Sequence, residues 1–417
     1  MEDAMGIWSK NLSRRAFIAG MGAAGLAGCS GGASAAGGPA PAAKETIYDR
    51  GVDAAGGAGS ETDASLSKDA QVTVGMVGDI LVHTWVWKSG VAEDGSRNYD
   101  GIFEHVKPII EALDVAMLDQ ETILGGTSFE FSGYPCFNSP QEFADAEVAA
   151  GFDAALHASN HALDVGFPGI EADLSYWRSR FPDIVVTGIA DTEEASRAVP
   201  MIERAGRKIA LLNYTSTTNG IPLPSDAPWC VNMLDDARVE ADFAAARDAG
   251  ADAIICAPHC GTEYAEGPDG VQTYWARKFV DLGADAVFCN HPHVIQPFEW
   301  LEGPEGKRVP VFWSLGNFVS TMARMDGMVG ALGHVTLGFS GGKCSVAAAG
   351  ITPLVTHKAF GPELSTYSLA DYTEELAAAN AVRRDEGCGG FSRQWCVDFC
   401  AGRLGDGFDP ATCEFTA

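Results

Sequence analysis

Positive charge is what this 417-residue chain has least of. Lysine and arginine number 28 against 56 aspartates and glutamates, giving a formal net charge of −28 and a pI near 4.5. A surface that neutralises nucleic-acid phosphates needs a basic face, so DNA and RNA are excluded as partners. An anionic ligand must then meet a local positive centre, such as bound metal ions. Long hydrophobic runs are also missing. The run from Ala16 to Ala27 has twelve residues, too few for a permanent membrane span. No internal repeat of solenoid length is present, which removes repeat architectures. Histidine is sparse, at nine residues, and its placement is therefore informative. What the chain does have is 46% hydrophobic residues, enough for a substantial core, and a length that suits one large α/β domain with appendages.

Lys10, Arg14 and Arg15 precede the apolar run, and Ser13-Arg14-Arg15-Ala16-Phe17-Ile18 reads as a twin-arginine export signal. The run closes on Leu26-Ala27-Gly28-Cys29, which resembles a lipoprotein cleavage box. Cys29 is then the expected lipidation site, anchoring the exported chain on the outer face of the cytoplasmic membrane. Residues 1–29 form the signal, and 30–70, rich in Gly, Ala, Ser, Asp and Glu, read as a disordered tether. Ten cysteines remain after Cys29, an even number compatible with disulfides in an exported protein. Cys388, Cys396, Cys400 and Cys413 crowd residues 361–417, read as a small stapled appendage to a main domain at 71–360.

Within that domain, short apolar runs alternate with helical stretches at 103–113, 141–150, 169–180, 236–249 and 273–282. This alternation predicts strands joined by crossover helices. Further strands are expected at 184–187, 208–213 and 309–313. Ser340-Gly341-Gly342 between two alternating segments predicts a hairpin, so the later strands are expected to be antiparallel, in a second sheet or at an edge.

Five apolar runs end in a group able to bind metal: Asp79, Glu121, Asn160-His161, His259, and His291 with His293. A short apolar run bounded by turn signals reads as a buried strand. Ligands of open α/β sheets bind beyond the carboxyl ends of the strands, so these stations predict a metal site at the edge of a parallel-type sheet. Singly, each is weak. Gly78 before Asp79 permits a sharp turn, Asp119 and Glu121 alternate so that either can ligate, Asn160 can ligate or cap a helix, and His161 can donate a proton or simply sit in the core. His291-Pro292-His293 is the most specific piece, with Pro292 stiffening the backbone between two rings. Leaving His83 aside, five of the nine histidines fall at these stations, counting His157 in the run that ends at Asn160-His161. Carboxylate, amide and imidazole together suit Mn, Fe, Co or Zn. They exceed the needs of one tetrahedral ion, and two ions about 3.5–4 Å apart, bridged by a carboxylate, would use them.

In this order the stations resemble the CapA family of bacterial capsule and poly-γ-glutamate synthesis proteins, itself similar to a divergent branch of calcineurin-like metallophosphoesterases. The resemblance covers about residues 72 to 322 and rests on Val77-Gly78-Asp79-Ile80-Leu81, Gln120-Glu121-Thr122, Phe137-Asn138-Ser139-Pro140, Ser159-Asn160-His161 through Asp164-Val165-Gly166, Pro258-His259 with Gly261 and Glu263-Tyr264, Gly283-Ala284-Asp285 through His291-Pro292-His293, and Ser314-Leu315-Gly316-Asn317-Phe318. It implies an α+β, four-layer fold: a two-sheet β-sandwich flanked by helices. It implies Asp79, Glu121, Asn160, His259, His291 and His293 as metal ligands and His161 as general acid or phosphate contact. Asp164 would orient His161, and Asn138, Glu263 and Asn317 would contact substrate. The chain departs from the family in having Asp119 for a common Asn, and Cys260 and Cys289 for Trp and Gly. The two cysteines either pair or pack. It also lacks a histidine two residues after Asp79, the nearest being His83. Trp85 and Trp87 line a cleft or pack.

Two functions are thereby expected: a membrane-anchored metal-dependent hydrolase of the cell envelope acting on a phosphoester or a γ-linked polyglutamate, or a non-catalytic polymer-binding or scaffold subunit among capsule synthesis subunits. The acidic surface repels a polyglutamate chain over about 8–10 Å.

Overall fold

The computed structural model describes residues 70–361 and 363–417, so the export signal, Cys29 and the tether, save its last residue, lie outside the described residues. The chain first lays down β1 (Ala70–Ile80), β2 (Val115–Asp119), β3 (Ala154–Leu156) and β4 (Val185–Thr187), all mutually parallel. It then builds a second sheet from β5 (Met201–Arg204), β6 (Arg207–Thr215), β7 (Ala253–His259), β8 (Ala286–Phe288), β9 (Phe298–Glu302) and β10 (Arg308–Phe312), in the order β5-β6-β7-β8-β10-β9. Finally it returns to the first sheet with β11 (Asn317–Val319), β12 (Val329–Ser340), β13 (Lys343–Lys358), β14 (Leu364–Ser368), β15 (Phe408–Asp409) and β16 (Glu414–Thr416).

Period-two alternation explains the layering. On β6, Ile209 and Leu211 point into the core between the sheets, while Ala210 and Leu212 face outward; on β7, Ile255 and Ala257 point in, Ile254 and Cys256 out. The inner residues meet Val72, Val74 and Met76 of β1 and Val115 and Met117 of β2. The outer face of the first sheet is covered by α1 (Glu142–Ala150) and α2 (Gly166–Arg180), that of the second by α3 (Asp236–Asp248) and α4 (Gly270–Asp281). Both faces of each central strand are buried, which is why these strands read as continuous apolar runs. The fold is thus the expected two-sheet sandwich flanked by helices. Helix boundaries follow local chemistry. Asp269 and Gln272 form a reciprocal capping box at the start of α4, Asp235 caps α3 through the Arg238 amide, and α1 stops at Gly151 with φ 107°.

Two expectations are corrected. The hairpin exists, with Gly341 and Gly342 at φ 60° and 78° in its turn, but it forms neither a second sheet nor an edge. β12 pairs with β1, so the hairpin lies within the larger sheet. The stapled appendage also fails to appear: β14 and β16 both pair with β13, and α5 (Arg393–Leu404) buries Cys396, Val397, Cys400 and Leu404 in the inter-sheet core. Cys388, Cys396, Cys400 and Cys413 are buried thiols, not joined to one another. Here cysteine acts as a small apolar residue. Among the described residues no helix is long and apolar enough to cross a membrane.

Candidate metal centre

The stations meet, but from two sheets. Asp79, Asp119, Glu121 and Asn160 stand at or just beyond the carboxyl ends of β1 to β3 of the first sheet; His259, His291 and His293 stand at or beyond those of β7 and β8 of the second. A hydrogen bond 2.7 Å long, from the Ala158 amide to the buried Asn213 side chain on β6, ties the two edges together. The loop into β11 completes the floor: the Asp79 amide donates to the Gly316 carbonyl at 2.8 Å. Gly78 is required there, since a Cβ on it would lie 1.9 Å from the Gly316 oxygen.

Glu121 is the centre of the arrangement. Its side chain is fully buried, and neither carboxylate oxygen has a hydrogen-bond partner. On one side, His259 Nε2 lies 3.7 Å from Glu121 Oε1, 2.9 Å from Asn160 Oδ1 and 3.2 Å from His291 Nδ1. On the other, His293 Nδ1 lies 3.7 Å from Glu121 Oε2, 2.9 Å from Asp79 Oδ2 and 3.1 Å from Asn317 Oδ1. The amide orientations are fixed from behind: Asn160 Nδ2 donates to Asn219 Oδ1 and Asn317 Nδ2 to the Gly327 carbonyl. His259 Nδ1 lies 3.0 Å from Asp119 Oδ2, which makes Nδ1 the donor and turns the Nε2 lone pair toward Asn160 Oδ1, itself an acceptor. On that tautomer the His259 Nε2 and Asn160 Oδ1 lone pairs face each other at 2.9 Å, an arrangement that a cation between them would satisfy. Donors bound at about 2.1 Å to one ion lie about 3 Å apart when adjacent. The residues present therefore fit a divalent metal centre.

The electrostatics agree. Burial, then Asp119, pushes the Asp79 carboxyl well above its usual range, and burial with Asp79 and Asp119 does the same for Glu121. Burial, then His259, drives His291 well down, and burial takes His293 to about 4. Buried acids that resist ionisation beside histidines held neutral are groups whose charge a bound cation would balance. Backbone strain accompanies it: His291 and His293 have φ of 102° and 61°, a region rare for non-glycine residues and found where function holds it.

His161 sits beside the cluster and is itself buried. Its Nδ1 is 2.6 Å from Asp164 Oδ2, its Nε2 is 4.0 Å from Glu121 Oε1, and Phe137 packs edge-on against its ring. Asp164 also accepts from the Phe137 amide at 2.7 Å, so its orientation is set independently of His161.

Not every expected residue arrives. Asn138 is fully buried and spends its amide on the Gly126 and Glu130 carbonyls, so it braces a loop and does not reach the cluster. Glu263 is exposed at the rim, near enough for its charge to raise Glu121 and His293. Asn317 comes closer than a substrate contact would, among the donors around His293. His157, in the third station, turns away toward Asp173 on α2 at 3.5 Å. Trp87 packs beside Phe131, and Cys260 and Cys289 are buried free thiols. Two residues were missed. Asn219 contacts both His161 and Asn160; its only sequence signal was the Asn-Gly turn beyond β6. Asp119 was recognised as a ligand alternative but not as the partner of His259.

Residues 73–322, spanning every station from Asp79 to Asn317, match the family described as bacterial capsule synthesis protein PGA_cap. The chain belongs to this family. Among curated family relatives, it is 28% identical over 263 residues to the PGA biosynthesis protein CapA of Bacillus subtilis (strain 168), covering 60% of this chain and 64% of that protein. It is 26% identical over 260 residues to the capsule biosynthesis protein CapA of Bacillus anthracis, covering 60% of each. The aligned region thus spans under two thirds of these relatives' length. Among solved structures, the fold is similar to the calcineurin-like phosphoesterase YfkN from Bacillus subtilis (TM-score 0.39, 13% identity, 78% of this chain and 99% of that one). It is also similar to Haemophilus influenzae NAD nucleotidase (TM-score 0.43, 14% identity, 77% and 57%).

Proposed function

We propose that this family member is a metal-dependent hydrolase of phosphoester type, acting outside the cytoplasmic membrane in capsule or poly-γ-glutamate biosynthesis. The observation that carries the reading is Glu121, a buried carboxylate with no partner between two sets of donors. Asp79, Glu121, His293 and Asn317 would hold one ion, and Glu121, Asn160, His259 and His291 a second. Mn, Fe, Zn or Co suits such donors. Ions so held supply Lewis-acid activation of a phosphoryl oxygen and a water-derived nucleophile near neutral pH. His161 does the proton work. With Nδ1–H committed to Asp164, Nε2 faces the cluster and delivers a proton to the departing oxygen. Asn219, reaching in from the second sheet, sets its Nδ2 3.4 Å from both ring nitrogens.

The expected result is transition metal near two equivalents by elemental analysis and turnover of an aryl phosphodiester, both lost in His291→Ala/His293→Ala. Metal without turnover would favour the second reading, a polymer-binding or scaffold subunit of a capsule synthesis complex. That reading draws on the relatives' names and on Ile80-Leu81, which stand where a further histidine would follow Asp79. Neither metal nor turnover would sink the hydrolase.

Placement in the envelope rests on the twin-arginine segment and Cys29. Cys29→Ser should move the protein from the membrane fraction to the soluble exported fraction and end incorporation of labelled fatty acid. An unchanged membrane fraction would refute the anchor.

A further inference from the structure

We propose that Arg324, laid over Tyr264 at the mouth of the metal centre, is a specificity residue that receives a second negative group of an extended, multiply anionic substrate. The inference rests on the hydrolase reading and names the substrate class of the same site. Tyr264 is built into the ligand loop: its amide donates to the carbonyl of Pro292, between the two ligand histidines, at 2.8 Å. Its ring lies 6.0 Å from the His293 ring. Tyr264 has φ 63°, a conformation that tyrosine adopts at a cost and that the surrounding structure must impose. What that backbone achieves is to leave a partly exposed aromatic face beside the centre. Arg324 covers it, with Cζ 4.2 Å from the ring centre. The guanidinium thus lies within the sum of those two separations from His293.

Arg324 is also oriented. Nε and Nη2 bind the two oxygens of Asp326 at 3.0 and 2.7 Å, and among the described contacts Nη1 has no hydrogen-bond partner. The loop carrying it is fastened to the centre: Asn317 Nδ2 and Ser320 Oγ both donate to the Gly327 carbonyl at 2.9 Å. A surface ion pair two residues apart needs none of this. The surroundings define the ligand. Asp79, Asp119, Glu121, Asp164 and Glu263 crowd the site on a chain of net charge −28. The metal centre takes the group being cleaved, and a fixed, planar guanidinium at the mouth takes a carboxylate or phosphate farther along the same molecule.

The test compares metal-loaded wild type, Arg324→Gln and Arg324→Lys on bis(4-nitrophenyl) phosphate and on 4-nitrophenyl phosphodiesters whose other arm ends in a carboxylate or a phosphate. Arg324→Gln should raise KM for the charged-arm esters about tenfold with kcat held, and leave the ester without a charged arm unchanged. Arg324→Lys should recover part of the loss. The more affected arm tells carboxylate from phosphate. An equal KM change on all three esters, or none, overturns the proposal. Should wild type cleave none of them, the hydrolase reading falls separately, and calorimetry of the metal-loaded protein with inorganic tripolyphosphate and a γ-linked glutamate trimer decides the matter. Binding of either weakened about tenfold by Arg324→Gln supports it; equal binding, or no binding by wild type, overturns it.

Discussion

Glu121→Gln will end metal binding and yet, in the presence of a chelator, yield a protein more heat-stable than wild type. The two effects share one cause. Both oxygens of Glu121 are buried without partners, and burial with the Asp79 and Asp119 charges raises its pKa well above the ordinary 4.5. An acid whose folded pKa is raised stabilises the fold fully only below its unfolded pKa. As pH climbs from about 4.5 toward the folded value, the unfolded chain ionises first and stability is lost. Gln cannot ionise, so metal-free Glu121→Gln escapes that loss. His291 and His293 have the opposite sign, since their lowered pKa values cost stability as pH falls below 6.5. The variant-to-wild-type difference isolates Glu121 from them. Metal reverses the ranking, because the ionised carboxylate is then the bound form. An ion at a hundred times its Kd adds about 2.7 kcal/mol to wild type, or several degrees in Tm, and little to the variant. The gain should shrink toward pH 5 as protons compete. Thermal melts at pH 5 and pH 8, with chelator and with Mn or Zn, measure all of this. If Glu121→Gln takes up metal as well as wild type does, the bridging role is wrong.

His161→Ala should keep its metal and lose turnover in a manner that depends on the leaving group. A general acid matters most when the departing oxygen is strongly basic. On an alkyl phosphoester kcat should fall by about 10² to 10⁴. On a nitrophenyl ester, whose leaving group departs without help, the loss should be under about tenfold. Asp164→Asn leaves the ring in place but replaces the carboxylate that holds Nδ1–H with a neutral amide, and should cost about 10- to 100-fold on the alkyl ester. Steady-state kinetics on both esters, with metal content checked alongside, separate this from general damage. Equal losses on both esters would assign His161 to binding or structure and leave the proton donor elsewhere.

Much of this site was legible because its signals are local. A strand that ends in Gly78-Asp79, or a turn written His291-Pro292-His293, announces itself within a few residues, since the apolar run and its polar terminus are contiguous. The order of stations along the chain was therefore readable, as were the positions of the main helices. Side-chain direction was not. His157 and His161 lie four residues apart in one station, and only packing sends the first to Asp173 and the second to the centre. Asn138 looked like a contact by its motif and turned out to be held by two carbonyls of its own loop.

The sequence alone determined a strongly acidic chain, a family, a set of strand-end ligands and the stiff turn bearing two of them, because each depends on composition or near neighbours. Tertiary structure decided that those ligands come from two facing sheets, that the β12–β13 hairpin joins the first sheet through the pairing of β12 with β1, and that the cysteine-rich tail belongs to the core. It also decided that Asn317 and Asn219 approach the centre from residues far away in the chain, and that Glu121 is left without a partner. An apolar run is equally content in either sheet. Which strand it joins, and what its last side chain then faces, is settled by contacts between segments hundreds of residues apart, and such contacts leave no local trace.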